Sequence, residues 1–266
     1  MRTRPPPPTA LAGCYVISLR PVGAHAAIRR AAAAHGARVL ALSPWKLVLH
    51  DDRTARASLR AALAADRVLV TSPAAVGAAR ALQPLHRRRG QQWFAVGAGT
   101  AAALRRAGID EVAAPTRMDS EGLLALPGLH GLRGSSAGLI TAPGGRGRIV
   151  PALQRRGARV LRANVYERVP IAPSPRALAA LRALAAPAAP AWLLLSSGEA
   201  LAHLLDVLPG DALAALRRAR VAAASERLAQ LAGENGFSGI VTAASARPRD
   251  LLDAAASTAA GSRKQR

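Results

Sequence analysis

Gly36-Ala37-Arg38-Val39-Leu40 and Gly157-Ala158-Arg159-Val160-Leu161 are the same five residues, GARVL, 121 positions apart. The match extends outward from them. At the same displacement Gly23 falls on Gly144 and Ile28 on Ile149; at 125, Thr71-Ser72 answers Ser196-Ser197 and Thr100 answers Ser225; at 128, Leu123-Leu124 answers Leu251-Leu252. A displacement that grows along the chain is what small loop insertions leave behind. Two copies of one supersecondary unit therefore cover most of the sequence. Each is too long for a solenoid repeat and about the size of one small domain. A cleft between two similar lobes is then the expected place for a ligand.

Composition agrees with a globular chain. Of 266 residues 50% are apolar, enough for one or two domains with real cores. No apolar run approaches the ~18 residues of a membrane helix, and the start (Arg2, Arg4, then Pro5 to Pro8) lacks the apolar stretch of a signal peptide. The expectation is a cytoplasmic protein with no membrane partner. A single cysteine, Cys14, leaves no intramolecular disulfide, and six histidines without Cys or His partners at ligand spacing give no metal signature.

The net charge of +22 has two readings. One is compositional, because Ala and Arg recur everywhere in the chain. The other is a polyanionic partner, whose local concentration a basic surface raises. Three Trp, two Tyr and two Phe offer few stacking platforms, and no helix-turn-helix, zinc-finger or RNP string is visible, which weighs against nucleic acid. A small polycarboxylate suits the charge equally well.

Short apolar runs at 15–19, 67–70, 93–96, 138–142, 191–195, 219–223 and 239–242 alternate with helical stretches. Continuous apolar strands between helices imply parallel sheets covered on both faces. In such sheets ligands bind beyond the carboxyl ends of the strands. Ser72, Gly97, Thr100, Gly144, Gly145, Ser197 and Ser225 fall in or just after these strand-to-helix turns, where free N–H groups and the helix dipole attract anions. Each Ser or Thr there is equally a plain N-cap, worth ~1 kcal/mol. No GxxxxGK[ST] exists, and Gly97-Ala98-Gly99-Thr100 lacks the third glycine of a dinucleotide fingerprint. NAD and ATP are therefore not expected.

Taken in order, Arg20-Pro21-x-Gly23, Thr71-Ser72-x-x-Ala75-Val76, Val96-Gly97-x-x-Thr100-Ala101, Gly144-Gly145-Arg146, Tyr166, Ser196-Ser197 and Ser225-x-Arg227 resemble the uroporphyrinogen-III synthase family from about residue 14 to 254. The resemblance implies an α/β fold of two flavodoxin-like parallel-sheet lobes joined by a two-stranded connection, with the chain crossing twice. One lobe would combine 14–38 with 172–254 and the other would be 51–158, with crossings at 39–50 and 159–171. The tails, 1–13 and 255–266, lie outside it and are expected to be disordered. Two thin connections make a hinge, the usual device for closing on a ligand.

Chemically, the resemblance implies cyclisation of hydroxymethylbilane, a linear tetrapyrrole with acetate and propionate arms on its rings, to uroporphyrinogen III with inversion of ring D. Water leaves and no cofactor is consumed, so positioning does the work. Tyr166 matches the family's tyrosine and would donate a proton or hydrogen bond to the departing hydroxyl; its repeat counterpart, Trp45, supports an alternative role as a packed hinge aromatic. Thr71, Ser72, Gly97, Thr100, Gly144, Gly145, Ser196, Ser197 and Ser225 would hold the acid arms, with Arg20 and Arg146 adding the planar fork that suits a carboxylate. A monomer is expected. Two other classes stay open: a two-lobed small-ligand-binding module of the periplasmic type, and a basic nucleic-acid-associated protein.

Overall fold

The computed structural model describes residues 10–117, 119–144, 147–184 and 190–264. In chain order the first elements are β1 (Tyr15–Ser18), α1 (Ala26–Ala34), β2 (Arg38–Ala41), β3 (Trp45–Leu49), α2 (Arg53–Leu63), β4 (Arg67–Val70), α3 (Pro73–Leu82), β5 (Gln92–Ala95) and α4 (Ala98–Arg105). Then come β6 (Val112–Ala113), α5 (Ser120–Leu124), β7 (Ser136–Thr141), α6 (Ile149–Arg155), β8 (Arg159–Asn164), β9 (Tyr166–Pro170) and α7 (Pro175–Ala183). The last are β10 (Ala191–Leu195), α8 (Gly198–Val207), α9 (Gly210–Arg217), β11 (Arg220–Ala223), α10 (Glu226–Glu234), β12 (Ile240–Thr242) and α11 (Pro248–Lys264).

The chain divides into two units, 1–46 with 169–266 and 47–168. Unit 1 holds a parallel sheet in the order β12-β11-β10-β1-β2, and unit 2 one in the order β6-β5-β4-β7-β8. Each sheet thus joins the first two strands of one repeat copy to the later strands of the other. In chain order unit 1 reads 2-1-3-4-5, the flavodoxin order, whereas unit 2 is the same spatial arrangement entered at a different strand. β3 and β9 form a small antiparallel pair, and the chain passes between units inside each of them.

Both copies of GARVL do the same local job. Gly36 (φ +73°) and Gly157 (φ +92°) take the left-handed conformation that ends α1 and α6, which costs least without a Cβ. The Arg-Val-Leu that follows is an edge strand: β2 beside β1, β8 beside β7. The segments 39–41 and 159–164, expected to belong to the crossings, are therefore sheet strands. Their mixed exposure is natural for an edge; the resemblance, not the residues, assigns them to the crossings.

The inner strands are apolar on both sides because helices cover both faces. In unit 2 one face packs Val68, Val70, Trp93 and Ile140 under α2, α3 and α4, and the other packs Leu69, Phe94 and Leu139 with Leu123 and Leu153. In unit 1 Val16, Trp192 and Leu194 pack with Ile28 of α1 and with Leu251, Leu252, Ala255 and Ala256 of α11. The tails consequently differ from expectation. Ala255 and Ala256 are buried in a helix that continues to Lys264, because the Ala-rich run that looks like low-complexity sequence is the apolar stripe of α11. At the other end Leu11 is fully buried and its amide donates to the His35 carbonyl at 3.1 Å. Among the described residues no helix is long and apolar enough to cross a membrane.

Candidate active site

Parallel pairing of β4 with β7 sets Val70 beside Ile140, so the next residue of each strand, Thr71 and Thr141, meets at the carboxyl tips. Thr71 Oγ1 donates to Thr141 Oγ1 at 2.8 Å. Ser72 follows as the N-cap of α3, its Oγ accepting from Ala75 N at 3.0 Å. The chain returns along β8, and Val165 N donates to the Thr141 carbonyl at 3.0 Å. That bond places Tyr166, the first residue of β9, back at the same tips. Its ring is buried and its hydroxyl lies 3.0 Å from Ser72 Oγ.

These side chains border a hollow of about 320 Å³ in unit 2, lined also by Ser120, Gly144 and the guanidinium side chains Arg148, Arg162 and Arg168. Arg148 is steered by Glu121 at 2.5 Å, and Arg162 by the Ala142 carbonyl at 3.1 Å and Asn164 Oδ1 at 3.0 Å. Hydroxyl donors beside three guanidinium groups make a surface for carboxylates. Either hydroxyl can donate to the other; when Ser72 donates to the Tyr166 oxygen, the phenol proton is left for a ligand.

The expected site residues do not all gather here. Thr71, Ser72, Gly144 and Tyr166 line the hollow; Gly145 and Arg146 lie outside the described residues. Gly97 caps α4 at the tip of β5, next to Val96 on the lining. Thr100, 2% exposed, is turned into the core and is not available to an acid arm. Nor is it the equivalent of Ser225. Val96 N donates to the Val70 carbonyl and Ala224 N to that of Leu195, so the residue after each, Gly97 and Ser225, is the true pair, and Thr100 answers the buried Leu228. The extra insertion between the copies, invisible in a run of alanines at 222–224, moved the register by three.

In unit 1, Ser197 is the N-cap of α8, accepting from Ala200 N at 3.3 Å, and Ser225 stands at the N-cap of α10 with no side-chain cap bond. β1 pairs with β10 up to Ser18 and Leu194, and Arg20 and Ser196 each lie two residues beyond that last pair. Arg20 is half-buried, donates to the Ala246 carbonyl at 3.3 Å, and has its pKa lowered by that burial. Behind it His25 is buried between two hydroxyls, Nδ1 2.9 Å from Ser18 Oγ and Nε2 2.9 Å from Ser43 Oγ. Burial first, then the charges of Arg29 and Arg20, holds its pKa below the ordinary imidazole value.

Thr141, Arg148, Arg162 and Arg168 were not singled out by sequence. Thr141 was within reach, since it ends an apolar strand three residues before Gly144; the arginines were lost among 37 Lys and Arg residues. Among the described residues no three His, Cys, Asp or Glu side chains form a metal-holding group.

Paired parallel-sheet units, each assembled from both halves of a duplicated chain, with hydroxyls and arginines at the strand tips, define a class of two-unit α/β enzymes. Residues 26–253 match the family model for uroporphyrinogen-III synthase HemD, and the chain belongs to that family. It is accordingly an enzyme of haem biosynthesis that acts on a small molecule. A mutant uroporphyrinogen III synthase from the extremely thermophilic bacterium Thermus thermophilus has a similar fold, with a TM-score of 0.60 and 22% identity over 94% of this chain and 99% of that one. The uroporphyrinogen-III synthetase of Helicobacter pylori is similar at a TM-score of 0.57 and 15% identity, covering 92% and 99%. No curated protein sequence matches.

Proposed function

We propose that the chain is a cofactor-independent lyase of the cytoplasm that, as a monomer, closes hydroxymethylbilane to uroporphyrinogen III with inversion of ring D. The observation that carries this reading is the Ser72–Tyr166 hydroxyl pair, 3.0 Å apart, at the edge of a hollow bearing three arginines. In the reaction the C–O bond of the hydroxymethyl group breaks and the oxygen leaves as water, with Tyr166 supplying the proton or hydrogen bond and Ser72 holding the phenol oxygen in place. The substituted carbon of ring D then attacks the freed methylene of ring A, the resulting spiro intermediate breaks its neighbouring bridge, and the fragment recloses on the free α carbon of ring D, whose proton is lost and restores the phenol.

Holding the two terminal rings in register for that attack is worth several kcal/mol of barrier, and it is the arms, not the rings, that the protein can grip. Arg148, Arg162 and Arg168 suit that task through bidentate bonding, with Thr71 and Thr141 adding short hydroxyl contacts. In unit 1 Arg20, Ser196, Ser197 and Ser225 offer the same chemistry at their own strand tips. The net charge of +22 then serves to concentrate a polyanionic substrate rather than nucleic acid.

Purified protein dialysed against a chelator and mixed with fresh hydroxymethylbilane should give mainly the type III isomer after oxidation and chromatography. Type I product alone, the outcome of closure in water, would overturn the reading.

A further inference from the structure

α2 and α7 hold the same place in the two repeat copies, yet they lie on their sheets differently. Beneath α2 the strand β7 carries Gly138, where an added Cβ would fall 1.9 Å from the Ala62 carbonyl oxygen; the helix rests on bare backbone. The residue 121 positions earlier is Ile17, whose fully buried branched side chain stands where β7 has none. Helix α2 buries Ala55, Leu59, Ala62 and Leu63, whereas α7 buries only Leu181 among its described residues.

The space this leaves in unit 1 is a hollow of about 470 Å³ between α7 and the β1–β2 edge, reaching Arg29 of α1. Its lining is mixed: Tyr15, Val39, Leu40, Ala177 and Ala180 give it apolar surface, and Ser174 adds a hydroxyl. The Tyr15 ring is held from outside by Arg38, which donates to its hydroxyl at 3.2 Å and stacks 5.6 Å from its centroid. Two cations, Arg29 and Arg176, also line it, and among the described residues no carboxylate does. Among the described residues neither guanidinium is in an ion pair. None of the strand-tip hydroxyls expected to hold substrate belongs to it.

We propose that this hollow is a second ligand site, for a small organic anion with an apolar or aromatic body and a carboxylate or sulfonate head. The apolar surface of Tyr15, Val39 and Leu40 takes the body of such a ligand, and the exposed guanidiniums of Arg29 and Arg176 meet its charge. A neutral molecule of the same shape leaves both arginines unpaired and binds less well. The site goes beyond the cyclisation reading and does not depend on it.

The test uses the full chain and anilinonaphthalenesulfonate as probe, followed by amide NMR. Saturable shifts are expected at Leu40, Ala41 and Ala177. The Arg29→Gln/Arg176→Gln double variant should weaken binding about tenfold or more, given the strength of charge-assisted contacts. Uncharged N-phenylnaphthylamine should bind at least that much more weakly to the native chain. Ala177→Trp, which fills the slot from a half-exposed helix position, should abolish the shifts with the rest of the spectrum unchanged. No saturable binding, shifts confined to Thr71, Ser72 and Thr141, or undiminished affinity in the double variant would each overturn the proposal.

Discussion

Ser72 Oγ and the Tyr166 hydroxyl are 3.0 Å apart although 94 residues separate them in the chain. The first sits at the carboxyl tip of β4 and the second opens β9, which the chain reaches only after completing the rest of unit 2. Removing the phenol alone leaves the ring's packing in place, so Tyr166→Phe should fold normally and lose turnover severalfold. Ser72→Ala removes the same bond and also the cap of α3, and should therefore lower stability by ~1 kcal/mol as well as rate. Steady-state kinetics beside denaturant unfolding separates the two effects.

The arginines of the unit 2 hollow should act on binding more than on chemistry. Arg148→Gln and Arg168→Gln are each expected to raise KM several-fold with a smaller change in kcat, and to flatten the dependence of kcat/KM on ionic strength. A change in kcat alone would place those charges at the reacting bond instead of on the acid arms.

Gly138 and Gly77 should respond to alanine with opposite signs. A Cβ at Gly138 would collide with the Ala62 backbone, and forcing α2 off the sheet should cost at least ~2 kcal/mol. Gly77 lies inside α3 with open space around a built Cβ, and Gly77→Ala should stabilise by about 0.4–1 kcal/mol through helix propensity and a less mobile unfolded chain. Unfolding midpoints of the two variants check both.

The depressed pKa of His25 gives stability a defined pH dependence. The unfolded imidazole takes up a proton near its ordinary value of 6.5, while the folded one resists protonation until lower pH. The unfolded state therefore binds more protons in that window, and stability, fully present above pH 6.5, falls as the pH drops below it. His25→Gln keeps polar contacts to Ser18 and Ser43 but cannot titrate. Its stability should be flatter between neutral and mildly acidic pH than that of the native chain.

The duplication is legible in GARVL, met twice, and the parallel sheets with their strand tips are legible in the apolar runs that alternate with helices; that 39–41 and 159–164 are edge strands and not crossings is not. The pairing of Thr100 with Ser225 failed because the alanines at 222–224 hide a three-residue slip, and only the backbone ladder reveals Gly97 as the partner of Ser225. Ala255 and Ala256 looked like tail because small apolar residues are weak signals until a helix aligns them. Arg148, Arg162 and Arg168 come from three separate segments; in so basic a chain nothing local distinguishes an arginine at the hollow from one facing solvent.

On the proposed mechanism, Ser72 and Tyr166 work as one unit in releasing water from the substrate. A double-mutant cycle of Ser72→Ala and Tyr166→Phe, read as the rate of type III product, tests it most directly. The expected result is a double variant scarcely slower than the worse single variant. Losses that simply multiply would contradict the claim and leave the two hydroxyls as neighbours with separate roles.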